Sequence, residues 1–391
     1  MLNTPFSPWP SFSQEEADAV SSTLLSNKVN YWTGDECRQF EQEFAQWIGC
    51  QHAVALANGT LALDLALKAL DIGAGDEVIT TPRTFLATAS SIVTSGACPV
   101  FADVDLNSQA ITAESIEAVL TAKTKAVIVV HLAGMPAEMD AIMALSEQYG
   151  FYVIEDCAQA HGAKYKGRSV GSIGHIGAWS FCQDKIMTTG GEGGMVTTNE
   201  RALWSKMWSF KDHGKSYDAV YHREHPAGFR WLHESFGTNW RMTELQAVIG
   251  RIQLKKMQCW TQSRQKNAAI IDEIAKQFEV VRTVKVPEYS LHAEYKHYLF
   301  VEPQLLAPGW SRDRIVEEVT KRGVPVYQGS CSEVYLEKAF DNTPWRPMQR
   351  LVNAAELGET SLMFLVHPTL TSREMEKTAE ALRYVLTLAQ K

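Results

Sequence analysis

The sequence predicts an α/β protein in which a large domain on a seven-stranded, mostly parallel sheet precedes a smaller C-terminal α+β domain. Two observations carry that expectation. From about residue 50 to 200, short apolar runs alternate with segments of helical period, the pattern of a sheet clothed in helices. The chain of 391 residues is also too long for one core of ordinary size, given roughly 150 residues per domain.

The strands are expected at 52–57, 77–80, 99–104, 126–131, 151–155, 178–181 and 194–198. The clearest helix between them is 136–149, which opens on a proline, sets Met139, Ile142, Met143 and Leu145 near one face and stops at Gly150. A second helical pattern, 242–256, leads through Trp260 towards Phe278. The boundary is placed near residue 250 inside that helix, giving a large domain 1–250 with an N-terminal arm and a small domain 251–391. Elements at 298–302, 312–321 and 372–389 furnish the latter. No Pro/Gly/Ser-rich linker separates the halves, so they are expected to pack around a shared cleft.

Composition narrows the function classes. Hydrophobic residues at 45% and charged residues at 21% describe an ordinary folded chain. The net charge is −8 with no run of Lys or Arg, so the basic footprint that nucleic acid requires is missing. Seven cysteines without a C-x-x-C pair suggest neither a disulfide framework nor a zinc knuckle and fit a reducing compartment. With no leader-like N-terminus and no long apolar run, the expected location is the cytoplasm, away from the membrane.

Three stretches could carry chemistry. In the first, Ser180 leads through Lys185 to the glycine-dense Gly190-Gly191-Glu192-Gly193-Gly194, a turn that lets the backbone approach a bound group closely. Taken alone, Lys185 is an ordinary solvated loop lysine, and the spacing is neither that of a P-loop nor that of a dinucleotide fingerprint. In the second, 151–162, an apolar strand delivers Glu155, Asp156 and then Gln159 at its carboxyl end, where α/β sheets bind ligands. A buried Asp156 there calls for a cation, such as a protonated pyridine nitrogen, unless it caps a helix or meets a structural arginine. In the third, Asn58-Gly59-Thr60 joins a strand to a helix, so free N–H groups and the positive end of a helix dipole suit a phosphate; as plain capping residues Asn58 and Thr60 need no ligand. Together, a phosphate seat, an aspartate at a strand end and a lysine 29 positions after it (185 − 156) make the parts list for pyridoxal phosphate.

The words Asn58-Gly-Thr-Leu-Ala-Leu, Thr81-Pro-Arg-Thr-Phe85, Glu155-Asp-Cys-Ala-Gln-Ala-His-Gly, Ser180-Phe with Lys185, and Thr238-Asn239-Trp-Arg-Met-Thr-Glu-Leu-Gln resemble the DegT/StrS group of sugar aminotransferases. The resemblance is strong from Gly34 to about residue 255 and looser beyond. It implies the aspartate-aminotransferase fold (fold type I) and pyridoxal 5'-phosphate as cofactor. By the same resemblance Lys185 bonds the cofactor covalently, Asp156 pairs with its ring nitrogen, Gln159 contacts the ring oxygen side and Phe85 stacks on the ring. Gly59, Thr60, Leu61 and Ser180 would surround the phosphate, and Asn239 would reach it from a neighbouring subunit, which implies a homodimer with shared sites. The implied reaction moves the amino group of L-glutamate to a nucleotide-linked keto sugar, a 4-keto-6-deoxyhexose above all, to give an amino sugar for surface polysaccharide or glycan. An aminocyclitol-type ketone as acceptor, or a non-catalytic regulator keeping the fold, are the alternatives.

Two departures from the family pattern stand out. Gly190 and Gly191 both precede Glu192, so the turn is expected to be one residue longer, and Cys182 reads as a buried thiol or as one beside the cofactor. His131, His161, His213, His297 and His367 lack metal-ligand spacing and are expected to be structural or to line the pocket; no metal is assigned. Trp32, Trp231 and Trp240 are expected in the core or an interface, and Arg230 and Arg241 in surface ion pairs, although either arginine could meet a diphosphate.

Overall fold

A computed structural model describes residues 6–391. All seven expected strands form, with ends displaced by at most a few residues: β1 (His52–Leu56), β2 (Glu77–Thr80), β3 (Cys98–Phe101), β4 (Thr124–Val130), β5 (Tyr152–Asp156), β6 (Ile176–Ser180) and β7 (Gly194–Thr198). They make one sheet in the order β1-β7-β6-β5-β4-β2-β3. Only β7 runs against its neighbours, antiparallel to both β1 and β6. Strand β4 is buried from Ala126 to Val130, which is why it reads as an unbroken apolar run. Register places Val130, Asp156 and Ala178 in one row across β4, β5 and β6, the first two at the carboxyl ends of their strands and Ala178 two residues before the end of β6.

The expected helix 136–149 begins later, as Met139–Tyr149. Before it the chain turns inward, and the Ala137 N–H donates to His131 Nδ1 at 3.1 Å instead of entering a helix. Gly150 ends the helix in the left-handed conformation that glycine takes at no steric cost (φ 76°). The pattern from 242 onward belongs to a single helix, Glu244–Ala275, opened by a Thr243/Gln246 capping box. Its Ala247, Leu254 and Met257 pack into the core of the large sheet. Its Ala268, Ile271 and Ile274 pack into a second core with helices Arg312–Lys321 and Ser372–Ala389. A four-stranded antiparallel sheet, Val281–Thr283, His297–Val301, Ser361–Phe364 and Val326–Tyr327, completes that part. Tyr298, Phe300 and Leu357 share a third cluster with Val127, Val129 and Val153, so the two sheets are joined by an apolar wall.

Beneath the site lies a buried polar knot. Glu155 accepts from the N–H groups of Ile173 (2.8 Å) and Gly174 (2.6 Å) on one oxygen, and from Gly171 N–H (2.8 Å) and His131 Nε2 (2.9 Å) on the other. Because His131 Nδ1 already accepts from Ala137, Nε2 carries the proton and donates. Cys157 completes the one group of potential metal ligands among the described residues, but every Glu155 oxygen and both His131 nitrogens are already engaged. Burial pushes the Glu155 carboxyl up, yet the His131 contact and the N–H groups of Gly171 and Gly174 outweigh it and hold the pKa below the ordinary 4.5. A carboxyl depressed on folding contributes stability that is present above its unfolded pKa and lost as pH falls through the folded one. Glu155→Gln, which sets an NH2 group against two donors, is expected to lower unfolding free energy by about 3–5 kcal/mol in denaturant titrations at pH 7. That difference should shrink as pH falls below 4.5.

All seven cysteines are free thiols, as expected from their spacing. Among the described residues no helix is long and apolar enough to cross a membrane.

Candidate active site

The row Val130, Asp156, Ala178 floors a cavity of about 590 Å³. Helix Gly59–Ala69 points its N-terminus into it. Asn58 caps this helix by accepting the Leu61 N–H on its side chain at 3.0 Å, and the N–H groups of Gly59 and Thr60 have no partner among the described residues. Gly59 is required by close approach: a Cβ there would lie 2.4 Å from the Ser180 Cβ at the end of β6. Gly59, Thr60, Leu61 and Ser180 therefore form one corner of the cavity, with the positive end of the helix dipole facing it.

Asp156 is nearly buried. The Thr88 hydroxyl donates to its Oδ2 at 2.9 Å and the Ala158 N–H to its Oδ1 at 3.1 Å. Thr88 has then spent its proton, so the Thr84 hydroxyl, 2.8 Å away, donates to Thr88. No cation pairs with Asp156 among the described residues. Burial accordingly raises its pKa above the ordinary 3.8, with the Ala158 and Thr88 contacts and the Lys185 charge pulling the other way but losing. Gln159 accepts the Ala133 N–H on Oε1 at 2.8 Å, which fixes the amide and leaves Nε2 as a donor in the cavity wall. Phe85 stands over the opening, 70% exposed.

Lys185 follows β6 in a turn closed by its own N–H to the Cys182 carbonyl (3.1 Å). Its Nζ lies 5.4 Å from the centroid of the Tyr295 ring, and the Tyr295 hydroxyl donates to Asp184. The glycine turn after Lys185 is built on two left-handed residues. Gly190 and Gly191 both take left-handed φ (84° and 118°), and the Thr188 hydroxyl accepts from Gly191 N–H at 3.1 Å. The buried-thiol reading of Cys182 is corrected: it is half-buried and lines the cavity, continuing the two-residue alternation of Ala178 and Ser180, which line it too.

A second cavity of about 360 Å³ shares Thr84, Phe85, Gln159, Asp184 and Lys185 with the first. Its far wall comes from the C-terminal part, with Lys296, Tyr327, Ser330 and Cys331. Lys296 has no carboxylate partner among the described residues, and burial beside Arg264 lowers its pKa to about 8.

Eight residues singled out in the sequence thus meet in one cavity: Gly59, Thr60, Leu61, Phe85, Asp156, Gln159, Ser180 and Lys185. Asn239 does not join them within the chain; it is exposed and bridges to Asp212. His161 is buried against Trp179 and Phe181, and burial drives its pKa to about 3, so it stays neutral. Trp32 and Trp240 pack on the main core, Trp231 is exposed, and Arg241 pairs with Asp212 at 2.8 Å. Sequence reasoning missed Thr88, Tyr295, Lys296 and Trp9. Thr88 was within reach, one helical turn after Phe85 on the same helix; the other three arrive from remote segments and carry no local signal.

The buried Asp156 carboxylate, the helix N-terminus at Gly59 and the Lys185 amine, all lining one cavity, fit a ring with a protonated nitrogen, a phosphate and an aldehyde. Comparison with known proteins agrees. The profile of the DegT/DnrJ/EryC1/StrS aminotransferase family matches residues 10–383. The crystal structure of an aminotransferase from Psychrobacter cryohalolentis superposes with a TM-score of 0.97 at 64% identity, over 98% of this chain and 99% of that one. UDP-N-acetyl-3-dehydro-alpha-D-glucosamine 3-aminotransferase of Acidithiobacillus ferrooxidans is 44% identical over 62% of this chain and 63% of its own length. GDP-perosamine synthase of Escherichia coli O157:H7 is 41% identical over 63% and 65%. The chain belongs to the DegT/DnrJ/EryC1/StrS aminotransferase family and is a sugar aminotransferase that depends on pyridoxal 5'-phosphate.

Proposed function

We propose that the enzyme takes the amino group of L-glutamate and gives it to a nucleotide-linked keto-deoxy sugar, in first place a 4-keto-6-deoxyhexose, in the cytoplasm. The product is an amino sugar for surface polysaccharide or glycan. The observation that carries this reading is the convergence of Asp156, the Gly59–Thr60 helix terminus and Lys185 on one cavity that opens into a second of a size for a hexose ring. Both relatives above are named for UDP- or GDP-linked sugars, which supports a nucleotide-bearing acceptor.

In this reading Lys185 would hold the cofactor through its aldehyde, and its amine, once free, would serve as the base that takes the proton off the amino-bearing carbon. Asp156 stays ionised against the ring nitrogen and so keeps it protonated. The bound cofactor supplies an electron sink for the pair left behind when that proton departs. Gln159 Nε2 would donate to the ring oxygen side, Phe85 would cover the ring face, and the N–H groups at Gly59 and Thr60 would hold the phosphate with Leu61 and Ser180. The test is direct. The loaded enzyme is treated with L-glutamate and then with UDP-, GDP- and dTDP-linked keto sugars, the aminated carbon being located by mass and NMR. Amination of a 4-keto-6-deoxy sugar is the expected result; turnover of a non-nucleotide cyclic ketone alone would overturn the acceptor assignment.

The site is completed by a second copy of the chain. Asn239 is exposed, and the preceding loop presents Phe229, Trp231 and Phe236 at 78%, 81% and 100% exposure, a surface suited to cover by a partner. Asn239→Ala is expected to weaken cofactor affinity. Mixing inactive Lys185→Ala with Asn239→Ala subunits should restore activity, because each mixed dimer then holds one site with both residues. Absence of any recovery in dimers shown to have exchanged would contradict sharing.

A further inference from the structure

We propose that Trp9, on the N-terminal arm, is a positioning residue for Lys185: its indole N–H holds the lysine's main-chain carbonyl and fixes where the reactive side chain begins. The inference rests on the reading of Lys185 as the covalent lysine.

Trp9 Nε1 donates to the Lys185 carbonyl at 2.8 Å, across 176 residues of sequence. The turn that carries Lys185 exposes Gln183 and Asp184, and is anchored behind by the buried Ile186 and Met187. The indole is held on several sides. The edge contact with Trp260 has centroids 5.1 Å apart, the His367 ring stacks at 6.0 Å, and the Arg264 guanidinium lies 5.0 Å from the Trp9 ring. The arm is tied down on the C-terminal part: the Thr369 hydroxyl donates to the Pro8 carbonyl at 2.8 Å, and the Ser7 hydroxyl to Glu374 at 3.1 Å.

Arg264 connects this grip to a second one. Fully buried, it donates from Nη1 to the carbonyls of Glu294 (3.4 Å) and Tyr295 (3.2 Å) while resting on Trp9. Tyr295 in turn lies beside Lys185 Nζ and bonds Asp184, the residue before it. Lys185 is therefore held at its backbone by Trp9 and flanked at its tip by Tyr295, with one buried guanidinium touching both. His367, lowered to about 3 by burial and by the Arg264 charge, stacks as a neutral ring and adds no repulsion to that cation. A lysine must reach both a bound aldehyde and a substrate proton, and misplacement by about 1 Å costs as much as 10²-fold in rate.

The test removes the N–H and keeps an aromatic side chain: Trp9→Phe, which also loses the five-membered ring, and replacement of Trp9 by benzothienylalanine, which has the shape of tryptophan without the donor. Each is made in the wild-type and in the Lys185→Ala background. With Lys185 present, covalent capture of pyridoxal phosphate by the apoenzyme, followed by absorbance and by borohydride-trapped mass on Lys185, should slow by about 10-fold. In the same variants kcat of the L-glutamate half-reaction should fall by a similar factor, with KM unchanged. In the Lys185→Ala background the Trp9 change should leave cofactor affinity unaltered, because the lysine through which it acts is gone. Capture as fast as wild type, or an equal loss of affinity in both backgrounds, would overturn the positioning role. Should Trp9→Phe fold poorly, the benzothienylalanine protein decides by the same criteria. If Lys185→Ala itself still traps the cofactor with borohydride, it is the reading of Lys185 that fails, and the two failures are told apart.

Discussion

Lys185→Ala is expected to lower amino transfer by roughly 10⁴-fold or more, since the covalent link and the proton shuttle go together. The fold should survive. Lys185 is half-buried in a turn and makes no side-chain hydrogen bond or ion pair among the described residues, so its loss strips no partner from the core. The thermal midpoint of the apoenzyme should therefore match wild type while borohydride no longer fixes the cofactor. Turnover near the wild-type rate would remove this lysine from the chemistry.

Asp156→Asn is the second large effect. Asparagine keeps the shape and can still accept from Thr88 or Ala158, but it carries no charge to hold a ring nitrogen protonated. Exchange of the α-hydrogen of L-glutamate with solvent should slow by about 10²–10⁴-fold, with cofactor still bound. The sign of the stability change separates this role from a structural one. The Asp156 pKa is raised by burial, so above that folded pKa the ionised group costs the cofactor-free protein stability, and the cost disappears as pH falls. Apo Asp156→Asn should consequently be at least as stable as wild type at pH 8 by thermal unfolding. A variant both unstable and fully active would reverse the assignment.

The sheet was legible because its strands are buried on both faces and so write continuous apolar runs, as Ala126–Val130 does. Local capping was legible too, since Asn58 and Gly150 act within a few residues of themselves. The strand order and the reversal of β7 were not legible, because pairing across a sheet is a contact between segments far apart in sequence. The start of the helix at Met139 was misplaced because the segment before it is held in a non-helical path by a distant contact, Ala137 N–H to His131 Nδ1, that no local pattern announces. At the site, the residues on the sheet's carboxyl edge and on the helix entering it were readable from motif words. Tyr295, Lys296 and Trp9 were not. They come from a loop of the C-terminal part and from the arm, and their relation to Lys185 exists only after the two cores have packed.

The central claim is that one amine, on Lys185, forms the bond to pyridoxal phosphate in a cavity floored by Asp156. Reduction of the holoenzyme with borohydride, digestion and peptide mass spectrometry test it in a single measurement. The account predicts a phosphopyridoxyl adduct on the peptide carrying Lys185, in near-stoichiometric yield, and its disappearance when L-glutamate is added before reduction. An adduct on another lysine, or one indifferent to L-glutamate, would contradict it.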